Sequence, residues 1–311
     1  MMTTAIAHPN VALIKYWGKS NVKENIPSTP SLSLTLSELK THTVLSDSDS
    51  DELWLNNAKA QDQKVFSFLN QMRDEFGIGT IKIKSENNFP TGAGLASSAS
   101  GFAALTTAIN SHFSLGLLPN QLSALARKGS ASAARSVFGG IVSLKGPLWS
   151  AEVVEGKETW PLSVVVAKTS DQRKNTSSTQ GMEITRKTSP YYSSWLEGAK
   201  NDFEEAVSAI KSQDFEKLAD VSEKNCLKMI GIMLSSIPPL IYWNSATIEC
   251  IHLIQELRGS GEPVFFTNDA GPQIKAVCLK SNKKTIASKL SDVVGKDNIF
   301  CCEIGDDART L

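Results

Sequence analysis

An excess of either charge is missing from this 311-residue sequence: 32 Lys and Arg face 32 Asp and Glu, a formal net charge of zero. Proteins that grip nucleic acid or coat a membrane surface usually carry a basic excess, so neither partner is expected. A local basic pocket for a small anion stays open. Long apolar runs are missing too, which excludes an expected membrane span. The opening MMTTAIAHPN has no basic start leading into an apolar stretch, so no secretion signal is expected. Cysteines are few: Cys226, Cys250, Cys278, Cys301 and Cys302, an odd number with no Cys-x-x-Cys spacing. Free thiols in a reducing cytoplasm follow as the simplest expectation. The four histidines are scattered without a His-Glu-x-x-His spacing, so no zinc site and no metal ligand is assigned.

What is present is ordinary for a globular protein, with 41% apolar and 21% charged residues. The length suits one large domain or two packed lobes, each with its own core. No internal repeat is evident. Ser46 to Glu52 (SDSDSDE) reads as a solvated turn between strands rather than a metal loop, since adjacent carboxylates repel one another into water. Ser31 to Leu36 (SLSLTL) alternates polar and apolar, the period of a half-buried strand, and Thr80 to Lys84 alternates again. Val65, Leu69, Met72 and Phe76 form a helical stripe, and so do Phe102, Leu105, Ile109 and Phe113. A strand is expected at SVVVA after Leu162. From about Tyr191 to Gly259 the pattern is helical, with a break at Pro238-Pro239. The end reads strand, tight turn, strand, helix, strand. Strands followed by helices and a strand-rich end predict an α+β fold of two lobes, 1–158 and 159–311, with the boundary near the charged stretch between Gly156 and Pro161.

Pro90 to Gly101 (PTGAGLASSASG) is the segment with the clearest chemical content. Gly92 and Gly94 allow a sharp turn and a close approach to a ligand. Small residues leave room, and the helix carrying Phe102 starts inside the segment, where unpaired N–H groups favour an anion. Ser97 and Ser98 add hydroxyls for phosphate or magnesium. The segment matches neither GxxxxGK[ST] nor GxGxxG, and a plain small-residue helix cap is the alternative. In Gly129 to Gly140 (GSASAARSVFGG), Arg135 offers a planar fork for a carboxylate or phosphate, or is simply solvated on a closely packed helix. In ALIKYWGK, continued strand geometry would point Lys15 and Trp17 one way and Tyr16 the other. These lysines could hold a polyanion or snorkel at a strand end. Asp269 opens the turn of FFTNDAGP, where an Asx-type hydrogen bond is the local alternative to chemistry.

Taken in order, NVALIKYWGK, PSLSLTL, ENNFPTGAGLASSASGFAAL, GSASAARSVFGG, SSTQGM and FFTNDAGP span nearly the whole chain, and the sequence resembles the diphosphomevalonate decarboxylase family of the GHMP kinase superfamily. The resemblance implies a ribosomal S5 domain 2-like first lobe, a ferredoxin-like α/β sandwich as second lobe, and a cleft between them. It implies ATP as consumed co-substrate, magnesium, a phosphorylated mevalonate as substrate, and a homodimer. By this resemblance Asp269, Lys15 and Arg135 are catalytic: Asp269 acts on the 3-hydroxyl, Lys15 balances charge beside it, and Arg135 grips the substrate carboxylate. Tyr16, Trp17, Gly18, Lys19, Ser130, Ala131, Ser132, Ala133, Ala134 and Thr179 match substrate-binding positions. Pro90, Gly92, Gly94, Leu95, Ala96, Ser97 and Ser98 match the nucleotide loop.

Three positions depart from the family pattern. Thr29 and Gln273 stand where Asn is usual, and Ile230 where many members have His. The first two of these in the substrate region, Thr29 and Ile230, bear on which phosphate ester is accepted. The alternatives are a decarboxylase of 5-phosphomevalonate, a mevalonate-type kinase that does not decarboxylate, and a binding protein that kept the fold without catalysis.

Overall fold

The computed structural model describes residues 2–89, 97–172 and 175–311. Its first half is built on two sheets. One has the strand order Arg309–Thr310, Met2–Ala7, Thr41–Asp47, Ile81–Asn87, Glu52–Leu55 and Ala58–Lys59. The other orders Ala151–Glu155, Ile141–Leu144, Ser31–Thr35 and Asn10–Ile14. The helix Ser97–His112 lies across the six-stranded sheet, and the expected stripes meet there: Leu69 and Met72 of the helix Gln63–Phe76, joined by Phe68, which the stripe did not include, pack with Phe102, Leu105 and Ile109. Asp62 caps the helix Gln63–Phe76 by accepting from the N–H groups of Lys64 and Val65, and Gly77 ends it at φ 66°, a left-handed conformation that glycine adopts without a Cβ penalty. The acidic turn is less solvated than its composition suggests. Asp51 is ion-paired to Arg73 and accepts from the N–H of Ile81, so it pins the turn to the helix.

The second half has one antiparallel sheet, ordered Val264–Asn268, Ile274–Leu279, Leu162–Ala167 and Ile299–Glu303. Its two faces are buried against different things. Leu162, Val164, Val166, Phe265 and Val277 pack with Leu13, Ile14, Leu32 and Leu34, so one core is shared between the lobes. Val165, Phe266, Ile274, Ala276 and Cys278 pack under helices Phe215–Leu234, Ser245–Gly259 and Lys283–Val294. A strand buried on both faces reads as a continuous apolar run, which is why SVVVA shows no alternation. Helices begin earlier than expected, at Ser178–Thr188, and continue with Tyr192–Lys211; the break falls after Leu234, ahead of the two prolines. The α+β architecture of two packed lobes agrees with the sequence.

Two local expectations need correction. Ser31–Thr35 is buried at every position rather than half-buried. Leu32 and Leu34 enter the shared core, while Ser31 and Ser33 face a buried guanidinium and are satisfied there. The strand leading to Lys15 stops at Ile14, with a register shift between Ala12 and Ile14. Lys15, Tyr16 and Trp17 therefore do not alternate across a sheet, and all three line one cleft.

Candidate active site

The cleft has a volume of about 900 Å³ and is walled by both halves of the chain. Its floor is made by the turn after Val264–Asn268. Asn268, wholly buried, donates to the carbonyl of Gln273 and accepts from the Trp243 indole, which braces that turn. Asp269 is thereby relieved of local duties. Its carboxylate takes Lys15 Nζ on Oδ1 at 2.8 Å and Lys275 Nζ on Oδ2 at 3.1 Å. The aspartate side chain keeps 29% exposure, whereas the lysines keep 2% and 1%. Burial pushes the Asp269 carboxyl up, but the two ammonium groups outweigh it and hold the carboxyl well below the usual carboxylate range. Burial pushes the Lys275 ammonium down, Asp269 pulls it back, and Lys15 adds to the depression.

Lys15 is placed from three sides. Its N–H donates to Asn225 Oδ1 at 2.8 Å, its Nζ donates to the Ala12 carbonyl at 2.7 Å, and the same Nζ meets Asp269. Asn225 in turn donates to Asp202, which is paired with Lys228. A helix of the second half thus fixes the end of a strand of the first.

Arg135 sits on the short helix Ala133–Ser136 and is 2% exposed. Its guanidinium donates to Ser33 Oγ at 2.8 Å, to Asn10 Oδ1 at 3.2 Å and to Ser31 Oγ at 2.5 Å. All three acceptors are neutral, and among the described residues Arg135 forms no ion pair. Burial lowers its pKa to about 10, against the pull of Tyr16 and Asp269. At neutral pH it remains a cation, packed near the Tyr16 ring with 6.0 Å between guanidinium and centroid. A buried cation with only neutral acceptors, set in the wall of a cleft, can take an anion there.

The remaining expected residues divide by place. Tyr16, Trp17, Lys19, Ser130, Ala131, Ser132 and Thr179 line the cleft, as do Ser97 and Ser98. Ser130 Oγ lies 3.2 Å from Ser132 Oγ and 3.3 Å from Ser98 Oγ, so the serine ridge runs into the start of the helix Ser97–His112. Lys19 Nζ donates to Asn25 Oδ1 at 2.6 Å and faces Thr179 Oγ1 at 3.5 Å. Ala133 and Ala134 are wholly buried and pack into the cores behind Arg135 rather than facing the cleft. Gly18, at φ 115°, lies against Tyr192: a Cβ there would come within 1.8 Å of Tyr192 Oη. It shapes the loop without lining the cleft. Pro90, Gly92, Gly94, Leu95 and Ala96 lie outside the described residues.

Of the departing positions, Thr29 and Ile230 are 1% and 5% exposed and neither lines the cleft. Ile230 belongs to the core under the helices. Gln273 holds the neighbouring segment, accepting from the Thr169 N–H and donating to the Ser170 carbonyl. Sequence reasoning missed Lys275, Asn10, Ser31 and Ser33 as site residues. Lys64 and Lys128 also line the cleft. A lysine inside an otherwise apolar strand, IKAVCL, is the signal that could have found Lys275.

No three described His, Cys, Asp or Glu residues gather as a metal cage. This donor set fits a magnesium carried on nucleotide phosphates, with Ser97 and Ser98 hydroxyls at hand, because magnesium keeps its waters and prefers phosphate oxygens to an all-protein cage.

Comparison with known proteins agrees with this geometry. Residues 7–148 match the diphosphomevalonate decarboxylase-like N-terminal domain, and residues 164–305 the mevalonate 5-diphosphate decarboxylase C-terminal domain. A Candida albicans diphosphomevalonate decarboxylase is 36% identical over 93% of this chain and 88% of its own length. The Staphylococcus aureus mevalonate diphosphate decarboxylase structure superposes with a TM-score of 0.93 at 35% identity, covering 100% of this chain and 98% of that one. A structure described as MDDEF in complex with MVAPP, AMPPCP and magnesium gives a TM-score of 0.93 at 36% identity, covering 100% and 99%. The chain therefore has the GHMP kinase fold and belongs to the diphosphomevalonate decarboxylase family.

Proposed function

We propose that this protein converts 5-diphosphomevalonate and ATP to isopentenyl diphosphate, ADP, phosphate and carbon dioxide. The observation that carries the proposal is the cleft itself. It joins an ionised Asp269, held by two lysines, to a buried Arg135 whose described partners are all neutral. A substrate bearing both a hydroxyl to be phosphorylated and a carboxylate to be lost answers both features. A related protein is solved with MVAPP, an ATP analogue and magnesium in this fold, which supports the same ligands here.

In this account Asp269 accepts the hydrogen bond of the 3-hydroxyl and aims its oxygen at the γ-phosphorus of ATP. Lys15, fixed by Asn225 and the Ala12 carbonyl, keeps Asp269 ionised and places positive charge beside the transferring phosphoryl group. Bound magnesium supplies charge neutralisation on the nucleotide phosphates, with Ser97 and Ser98 as the residues that would hold it. Arg135 holds the substrate carboxylate in line. When the 3-phosphate leaves with the C–O bonding pair, the C–CO2 bond breaks, carbon dioxide departs without that bond's electrons, and the C–CO2 bonding pair becomes the new C=C bond. Tyr16, Lys19, Ser130, Ser132 and Thr179 bind the remainder of the substrate. Lys19 carries a pKa lowered by burial and by the nearby Lys64 charge, so an incoming phosphate is matched by a cation cluster that needs one.

A homodimer and a cytoplasmic location belong to the same proposal. The resemblance supports the first, and the five free cysteines support a reducing compartment. Light scattering on the purified chain tests the dimer. Parallel release of ADP and carbon dioxide with the diphosphate substrate tests the function.

A further inference from the structure

We infer that Lys275 is a positioning residue for this site: it clamps Oδ2 of Asp269 while Lys15 holds Oδ1, so that the carboxylate is fixed in a single rotation toward the substrate. The inference rests on the function proposed above.

Lys275 lies in the strand Ile274–Leu279, directly opposite Thr267 on one side and Val166 on the other. Residues directly opposite in an antiparallel pair share a face. Lys275 therefore continues the row of Val277, Val166, Val164 and Phe265, which faces the core shared by the lobes. An ammonium at 1% exposure in such a row is costly unless a charge answers it. Asp269 answers it at 3.1 Å. The opposite residue, Thr267, donates to the Ala12 carbonyl at 3.1 Å, the same carbonyl that receives Lys15 Nζ at 2.7 Å. Thr267 and Lys15 Nζ thus meet at one carbonyl, and the Asp269 carboxylate lies between the two ammonium groups. Lys15 lines the cleft and Lys275 does not. The first faces the reacting groups, and the second acts through Asp269.

One lysine would leave Asp269 free to rotate about its carboxylate axis and, at 29% exposure, to take water in place of substrate. Two lysines on two different oxygens remove that freedom. They also leave one net positive charge for the bound anions. The other charged or titratable groups facing Asp269 are Arg135, Tyr16 and Cys226, all outside this clamp.

The test uses the full chain with Lys275→Met, which keeps a buried aliphatic stem and removes the charge, and with Lys275→Gln and Lys275→Arg. With ATP, magnesium and 5-diphosphomevalonate, Lys275→Met should lower kcat by roughly 10- to 100-fold, the range for outer partners that orient a reacting group, with little change in KM. Asp269 then has one cation in place of two, so the acid limb of the kcat profile should move to higher pH. Lys275→Gln should show the same shift, and Lys275→Arg should recover part of the rate. Thermal melting gives the folded fraction of each. Wild-type kcat and an unmoved acid limb in folded Lys275→Met or Lys275→Gln would overturn the inference alone. A rate loss that only follows loss of folded protein, with the acid limb unmoved, would overturn it as well. Wild-type protein that releases neither ADP nor carbon dioxide would overturn the functional proposal first and this inference with it.

Discussion

Lys15 and Asp269, 254 positions apart in the chain, meet at 2.8 Å on the floor of the cleft. Neither end of that contact is local. Lys15 is delivered by a strand of the first half that ends one residue earlier, and Asp269 by a turn that Asn268 closes without help from the aspartate side chain. The contact is therefore a readout of the packing of the two lobes.

Asp269→Asn should remove the charge that both lysines face. Turnover should fall by at least about 100-fold, the scale for losing one preorganised electrostatic partner of a transition state. The stability consequence has a definite sign. The Asp269 carboxyl titrates below its ordinary value, so its contribution is fully present above that value and is lost as pH falls through the folded one. Urea unfolding should show wild type more stable than Asp269→Asn at neutral pH. The gap should close in the acid range, where a protonated Asp and an Asn face the lysines alike.

Arg135→Lys should not be conservative. The fork that reaches Ser31, Ser33 and Asn10 at once cannot be rebuilt by a single ammonium. Steady-state kinetics should show a higher KM for the phosphorylated substrate and a lower kcat, while KM for ATP changes little. Equal rises in both KM values would remove Arg135 from the carboxylate.

Ser33→Ala takes one acceptor from that buried cation and leaves its Nε–H, now bonded at 2.8 Å, unsatisfied. A cost of about 1–3 kcal/mol is expected. Ser33 is wholly buried, so an effect below about 0.5 kcal/mol in urea unfolding would mean that the guanidinium finds another partner.

Gly18→Ala meets two obstacles, a φ of 115° and Tyr192 Oη at 1.8 Å from the new methyl. A destabilisation of about 1–3 kcal/mol is expected from the backbone alone. Adding Tyr192→Phe removes the hydroxyl but not the ring, and should restore only part of the loss. Full restoration would show that the backbone tolerates this conformation.

The segments with strong local periodicity were legible. The stripe of Leu69 and Met72, the stripe of Phe102 and Ile109, and the strand-turn-strand-helix-strand end all appear where their patterns place them. So did the residues of the cleft that lie in recognisable motifs, Lys15, Arg135 and Asp269. What was not legible depends on pairing between distant segments. The serines of SLSLT resemble a solvated strand face because alternation reports polarity, not what answers it; here the answer is Arg135, about a hundred residues away. Lys275 resembles a strand-end lysine because the charge that permits its burial comes from a turn that folds back on it. Lys15 to Trp17 defeated the alternation rule because the strand ends at Ile14, in a register shift that nothing in the local sequence announces.

The most direct test is product counting. Purified protein is incubated with ATP and magnesium, in separate reactions with mevalonate, 5-phosphomevalonate and 5-diphosphomevalonate, and both ADP and carbon dioxide are quantified. The account predicts equal release of the two, with the diphosphate only. Equal release with the monophosphate would contradict the assigned substrate and keep the chemistry of Asp269 and Arg135. ADP without carbon dioxide in any reaction would contradict the central claim, because the cleft would then transfer phosphate without breaking the bond that Arg135 is placed to control.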